Sequence, residues 1–368
     1  MGRRREPLLA VMTVLVSLAF CLGIAEAVLR LLPVASGMRT MPVTADSPVF
    51  HFTPNRDFVF SLDWNMALVN RGRINNAGFV NDQDYRTDDQ TPLLAVVGDS
   101  YIEAAMVPYT ETVHGRLAKR LAGRLRVYSF GAAGAPLSQY LVWARHAVRD
   151  YGAHALVINV IGNDFDESLA AYRTAPGFWL YVPDANGELN LRLFGYTPGT
   201  LGKVAVQSAL GRYLAFNLQL GQRWIELRSL LIERSAKAAP SHAGNTAAEA
   251  GVARVSDSLL VIDAFFRDLG TEVGLAPDRV LFTIDGFRYP PAAAAGAGTY
   301  FDQMRRAFRS KAETLGYNVI DLDPAFFARH GQTGERFEYP TDGHWNGSGH
   351  EVAFEAVMAS QLIKTLVR

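Results

Sequence analysis

Residues 93–100 read LLAVVGDS, and the fold of the chain turns on this stretch. An apolar run of this length, ending in Val-Val, reads as a buried strand of a parallel sheet. Gly98 lets the chain turn sharply as it leaves the sheet. That puts Ser100 at the strand's carboxyl edge, where open α/β sheets place their ligands. Residues 112–125 have helical spacing, so Ser100 is expected at or near a helix N-terminus, where free N–H groups favour a developing negative charge. A serine in such a turn also serves simply as a helix cap. The rest of the chain has to decide between cap and nucleophile.

Outward from this stretch the same rhythm repeats. Residues 126–130 (RVYSF) read as a short strand ending in Gly131-Ala132-Ala133-Gly134, and residues 138–151 have helical periodicity. Residues 155–161 (ALVINVI) form another buried strand that runs straight into Gly162-Asn163-Asp164. Residues 279–284 (RVLFTI) and 317–322 (YNVIDL) give two more strands, separated by a helix near 300–315, and a last helix covers about 349–366. Strands alternating with helices imply a parallel sheet covered on both faces by right-handed crossovers. The order fits an α/β, flavodoxin-like doubly wound parallel sheet of about five strands. Residues 168–252 interrupt the rhythm. Within them, 201–235 carry apolar residues at helical spacing with Arg212, Arg223, Arg228 and Arg234 between, and 236–250 (AKAAPSHAGNTAAEA) read as a flexible connector. Such an insertion suits a lid, a surface near a membrane or a helical hairpin that pads the domain.

Composition narrows the class. The 368 residues include 36 basic and 36 acidic side chains, so net charge gives no argument for a nucleic-acid partner. Cys21 is the single cysteine, which rules out a disulfide framework and a thiolate metal cluster. Arg3-Arg4-Arg5 precede an uncharged stretch over residues 7–25, long enough at ~1.5 Å per residue to cross a hydrocarbon core of ~30 Å. The arginines favour a cytoplasmic N-terminus with the remainder translocated, periplasmic or otherwise extracytoplasmic. Ala25-Glu26-Ala27 resembles a small-x-small cleavage site, so a cleaved signal peptide is the competing reading. The apolar pattern continues through Val28, Leu29, Leu31 and Leu32 and suits an uncleaved helix. The expected organisation is a cytoplasmic tail and transmembrane anchor over 1–36, a stalk over 37–90 folding back on the main domain, and the α/β domain over 91–368.

Four pieces fall at strand ends or loops on the same expected edge: Gly98-Asp99-Ser100, residues 131–134, Gly162-Asn163-Asp164, and Asp342-Gly343-His344-Trp345-Asn346. Acyl transfer asks for these residue types. A serine hydroxyl is a weak nucleophile until an imidazole takes its proton, and the imidazole needs a carboxylate to fix its tautomer. The tetrahedral intermediate needs donors aimed at its oxyanion. Ser100, His344 and Asp342 are the expected nucleophile, base and acid; the N–H groups of Ser100 and Gly134 and the amide of Asn163 are the expected donors. Asp99 is expected to serve the turn, Asp164 and Asp166 to cap or meet solvent, His350 to be structural, and Trp345 to pack. The other histidines lack ligand spacing, and no metal or cofactor is implied.

The sequence resembles the SGNH (GDSL-type) esterases and acyltransferases through VVGDSYIE, YSFGAAGAPLSQ, VIGNDFDES and DGHWNGSGH, over about residues 92–366. By position, Ser100 matches the family's nucleophile, Gly134 and Asn163 its oxyanion donors and His344 its base. The family pattern places the acid three residues before the histidine, where this chain has Thr341; Asp342 is two before. Asp-x-His-Trp-Asn is similar to the arrangement in polysaccharide O-acetyltransferases of the same superfamily. Whether Asp342 orients His344 or Ser100 and His344 act as a dyad is left open. Ser129 stands where an asparagine is common in the glycine block. The resemblance implies a serine esterase or O-acyltransferase acting on an acylated small molecule, glycan or lipid. A catalytically silent domain that binds a glycan or an assembly partner is the alternative.

Overall fold

The computed structural model describes residues 5–199, 206–221, 224, 241–242, 245–246 and 251–367. Its described residues divide into two compact units, one from Met1–Met38, Phe58–Arg71 and Pro198–Ser235, the other from Arg39–Asp57, Gly72–Thr197 and Ala236–Arg368. The first unit contains α1 (Arg5–Leu31), whose stretch Leu9–Leu31 is long and apolar enough to cross a membrane. Its apolar side chains are solvent-exposed, Val16 at 67% and Phe20 at 68%, the reverse of a core helix.

The second unit is built on a five-stranded parallel sheet of β1 (Leu93–Gly98), β2 (Arg126–Gly131), β3 (Ala153–Val160), β4 (Val280–Ile284) and β5 (Asn318–Asp321). The spatial order is β5-β4-β3-β1-β2, the flavodoxin-like arrangement expected from the sequence, with β1 between β2 and β3. Every residue of β1 is buried, as a run of six without a polar side chain requires. Leu94 and Val96 join a cluster with Leu117, Val127, Val157, Phe326 and Trp345, which pairs one face of the sheet with helices at both ends of the domain sequence. The strand order reverses between β1 and β3, which opens a crevice at their carboxyl ends.

The helices largely follow their sequence signals. α2 (Ser100–Glu103) is a single turn, and α3 (Val113–Arg120) follows after a 3₁₀ turn, so the spacing read over 112–125 is α3, which stops at Arg120, while Ser100 opens a separate short turn. α4 (Leu137–Tyr151), α5 (Val252–Asp268) and α6 (Tyr300–Thr314) supply crossovers, and α7 (Asp323–Thr333) follows β5. The expected last helix is two: α8 (Gly347–Ala359) and α9 (Gln361–Leu366). The break comes at Ser360, whose extended backbone and hydroxyl, accepting from Ile363 N, start a new helix where the apolar periodicity runs on.

Residues 72–91 cover the edge strand β2. Tyr85 stacks on Tyr128 with ring centroids 4.0 Å apart, and its hydroxyl donates to Ser129 O (2.5 Å) and accepts from Ser129 N (2.9 Å). Asn81 Nδ2 also reaches Ser129 Oγ (3.0 Å). An exposed edge is thereby blunted, and Ser129, standing where the family commonly has asparagine, ties the covering segment to the strand. Of the insertion, Trp179–Pro183 and Leu189–Leu193 pair as an antiparallel hairpin. Arg223, Arg228 and Arg234 and most of the connector 236–250 lie outside the described residues.

Candidate active site

β1 delivers Ser100 to the carboxyl edge through a turn with little room in it. A Cβ on Gly98 would stand 2.5 Å from Ile102 Cγ1, so only glycine fits. Asp99 is the N-cap of α2: its Oδ1 accepts from Tyr101 N (3.0 Å) and its Oδ2 from Ser100 Oγ (3.1 Å). Asp99 thus serves the turn, as its position suggested. Being fully buried lifts its carboxyl to about 6, against the pull of those hydrogen bonds.

His344 arrives from the other end of the chain. Asp342–Trp345 pairs antiparallel with Glu338–Tyr339, and this short ribbon presents the imidazole to β1's turn. His344 Nε2 lies 2.7 Å from Ser100 Oγ, and Nδ1 is hydrogen-bonded to Asp342 Oδ1. The same carboxylate oxygen accepts from His344 N (3.0 Å). A spacing of two suffices because the backbone and ring of His344 share one oxygen. Burial works against charge on His344, but the bond to Asp342, its charge and that of Asp99 prevail and hold the imidazole above its usual value. Burial also raises Asp342, and its bonds to His344 outweigh that and leave it below the usual carboxylate range.

A buried cluster fixes both ends of this contact. Arg288, with no exposed side-chain surface, donates through Nη1 to Gly343 O (2.7 Å) and through Nη2 to Tyr101 Oη (2.6 Å). Its fork binds Asp285 at both oxygens (3.2 and 2.5 Å). Tyr101 Oη in turn donates to Gly343 O (3.2 Å), and Trp345 Nε1 donates to Asp285 Oδ1 (3.1 Å). Arg288 therefore touches the residue after Ser100 and the residue before His344. Its backbone has φ +65°, held by Arg288 N donating to Asp323 Oδ1 (2.9 Å). Sequence reasoning missed this arginine; the signal available was a charged residue in DGFRYP directly after a strand of the sheet.

Two of the expected oxyanion donors, Gly134 and Asn163, have an ion pair for a neighbour. Gly134, at φ +74°, faces Arg173, whose Nη2 would stand 2.6 Å from a Cβ there. Asn163 Nδ2 donates to Glu167 Oε2 (3.0 Å), the oxygen that Arg173 also binds. Ser100, His344 and Asp342 form one hydrogen-bonded chain, while Gly134 and Asn163 border the Glu167–Arg173 pair. Glu103, also missed, is buried with Oε2 accepting from Ala133 N (2.5 Å). Burial raises it to about 7. Asp164 is not solvated as expected: it is fully buried, accepting from Ile161 N (2.7 Å) and Tyr140 Oη (2.8 Å). His350 accepts from Val113 N (3.2 Å) and Trp345 is buried. Asn346 caps α8 through Gly349 N (3.0 Å), which gives Asn346-Gly347-Ser348 a structural role. Among the described residues, no group of three His, Cys, Asp or Glu side chains is arranged to hold a metal ion.

No family model matches the chain, and no curated protein matches it. Solved structures do. They include the lipase Lip_vut3 from a goat rumen metagenome, 13% identical, covering 74% of this chain and 98% of the other at a TM-score of 0.40. TesA is 15% identical over 74% and 99% of the two chains, at 0.37. A member of the lipolytic G-D-S-L family from Veillonella parvula is 8% identical over 73% and 97%, at 0.37. What the chain can do is therefore read from its own side chains.

Proposed function

We propose that this protein is a serine esterase or O-acyltransferase that acts on ester-linked acyl groups outside the cytoplasm. The observation that carries this reading is the continuous chain Asp342–His344–Ser100 at the end of β1, closed by the 2.7 Å contact between Nε2 and Oγ. An imidazole whose far nitrogen is held by a carboxylate presents its free lone pair to the hydroxyl, the arrangement a nucleophilic serine needs. Ser100 Oγ attacks the acyl carbonyl as its proton passes to Nε2. The imidazolium is stabilised by Asp342, and the proton then leaves with the departing alcohol. Water or an acceptor hydroxyl, activated at the same Nε2, releases the acyl group from Ser100.

In this reading the oxyanion is met by backbone N–H groups at Ser100 and Gly134 and by the Asn163 amide once it exchanges Glu167 for the substrate oxygen. The helix α1, with its exposed apolar surface, supports a membrane-anchored protein whose substrate is a surface glycan or a lipid. A fluorophosphonate probe tests the proposal on the full chain in detergent. Labelling of the wild type, absent in Ser100→Ala, is the expected result. An unlabelled but folded wild type would leave the domain as a binding module. Comparing acyl release to water with release to an added glycan acceptor then separates hydrolysis from transfer.

A further inference from the structure

Glu26 lies inside the apolar stretch Leu9–Leu31, an expensive place for a carboxylate unless it is compensated. Its partners come from far along the chain. Ser208 Oγ (2.8 Å), Ala209 N (3.0 Å) and Leu210 N (2.8 Å) all donate to it, and Arg30 joins them one turn along α1 (2.8 Å). The turn Ala209–Arg212 continues into Tyr213–Asn217, and both are tied to neighbouring segments of the same unit. Asn217 Oδ1 accepts from Ala35 N (3.0 Å) and its Nδ2 donates to Ser61 Oγ (2.7 Å). Tyr213 Oη donates to Trp64 O (2.7 Å).

These bonds fix a depth. Glu26 precedes the end of α1 by five residues, about 7 Å along the helix axis at ~1.5 Å per residue. A segment bonded there is held alongside the last turns of the apolar helix. It also carries exposed apolar side chains, Leu214 at 37% and Leu220 at 47%, and its Tyr213 is bonded to Trp64 O, whose indole is 74% exposed; Leu31 at the end of α1 is 88% exposed. Exposed tryptophan and leucine on a segment bonded near the end of a helix long enough to span suit the headgroup–acyl boundary of a bilayer.

We infer that residues 206–221, together with Trp64, form a collar around the end of α1 that seats in the lipid interface. The occupant of this apolar surface is lipid, because the segment that carries it is bonded to Glu26 of α1, a helix whose own apolar side chains are exposed and which is long enough to span a bilayer. The collar also requires that α1 be kept: cleavage after Ala25 or Ala27 would cut α1 at or beside the residue on which the collar is built. The inference rests on α1 as a membrane anchor and not on the chemistry proposed for Ser100.

Cys21 is the single cysteine, so a Cys21→Ala background allows nitroxide labels one at a time at Trp64→Cys, Leu214→Cys and Leu220→Cys. Phe20→Cys and Asp88→Cys give the lipid-side and water-side references. With the full chain in vesicles of phosphatidylcholine and phosphatidylglycerol, the three collar labels are expected to favour collision with oxygen over a nickel chelate. Their depth should fall between the references, ~5–10 Å into the boundary. Collision ratios equal to that at residue 88 overturn the inference. So does shielding from both reagents that disappears on dilution among vesicles, since a second copy then covers the patch. Glu26→Ala should move the Leu214 label toward water while the residue 20 label keeps its lipid value; no movement refutes docking through Glu26. Mass spectrometry of the membrane-extracted chain should find residues 1–25 present, and a chain beginning at 26 or 28 is equally fatal.

Discussion

Replacing Arg288 separates holding the site from holding the fold. Arg288→Met removes a guanidinium that makes two bonds to Asp285, one to Gly343 O and one to Tyr101 Oη, all without solvent access. Removing one partner of a buried ion pair destabilises by about 3–5 kcal/mol, because the remaining charge keeps its desolvation penalty. Restoring neutrality with Asp285→Asn in the same chain should recover much of that loss. Activity should not recover with it. Gly343 precedes His344, and a misplacement of about 1 Å at a reacting group costs roughly 10²-fold in rate. Arg288→Lys keeps the charge but has one nitrogen where the arginine uses three, so it should fold, keep KM and lose about 10²-fold in kcat. Tyr101→Phe loses two hydroxyl contacts, to Arg288 and to Gly343 O, while the arginine fork stays on Asp285; its kcat should fall less than about 10-fold. The assays are urea unfolding for stability and ester turnover for kcat and KM, with Ser100→Ala as the blank. A Lys variant with wild-type kcat and reduced stability would mean that Arg288 serves the core alone.

Three further outcomes follow from the same geometry. Because Asp342 lifts His344 above 6.5 and the base must be neutral, kcat/KM should rise with pH through a limb above 6.5. Asp342→Asn should move that limb to lower pH and cut kcat by about 10³–10⁴-fold, and an unchanged profile would make Ser100–His344 a dyad. Glu103 titrates at about 7 in the fold against about 4.5 for a glutamate in water, so the folded state holds its proton more tightly. The stability linked to it is full below 4.5 and falls as pH rises through 7, by about 3 kcal/mol. Glu103→Gln should flatten that slope in unfolding curves taken from pH 5 to 8, its amide oxygen still accepting from Ala133 N. Asn163→Ala should lower kcat by about 10²–10³-fold with little change in KM. Glu167→Gln should leave kcat equal or higher, and an Asn163→Ala variant with unchanged kcat would remove that amide from the oxyanion site.

The sheet was legible because its signals are local. LLAVVG, RVYSF and ALVINV are apolar runs closed by glycine or a polar turn, and their order alone yields the doubly wound arrangement observed. Ser100 and His344 could be chosen as candidates because each stands in a turn at a predicted strand end or loop. What escaped depends on neighbours that no local pattern encodes. Arg288 is a charged residue whose partners lie 187 and 55 positions away. Asn163 could be assigned as a donor from its place after β3, but its present partner, Glu167, was not visible in that pattern. The break at Ser360 escaped because hydrophobic periodicity continues across it while a single hydroxyl resets the helix.

The carboxyls around Ser100 set up a conflict that the site has to resolve electrostatically. Ser100 has one proton and two acceptors in reach, His344 Nε2 at 2.7 Å and Asp99 Oδ2 at 3.1 Å. With Asp99 ionised above about 6, its charge draws that proton but also favours the imidazolium, as the rise in His344 shows. Burial raises Asp164, and the charge on Asp99 raises it further, so negative charge is concentrated behind the serine turn. Such a field helps the base and hinders the oxyanion, whose negative charge develops on the oxygen of the carbonyl that Oγ attacks. Donors on the oxyanion side therefore matter more here than in a neutral pocket. Arg173 lies beside Gly134, one of the proposed donors, and is joined to Glu167. In the proposed mechanism, exchange of Glu167's carboxylate for substrate frees Asn163's amide for the developing oxygen, and Arg173 loses its partner at the same moment.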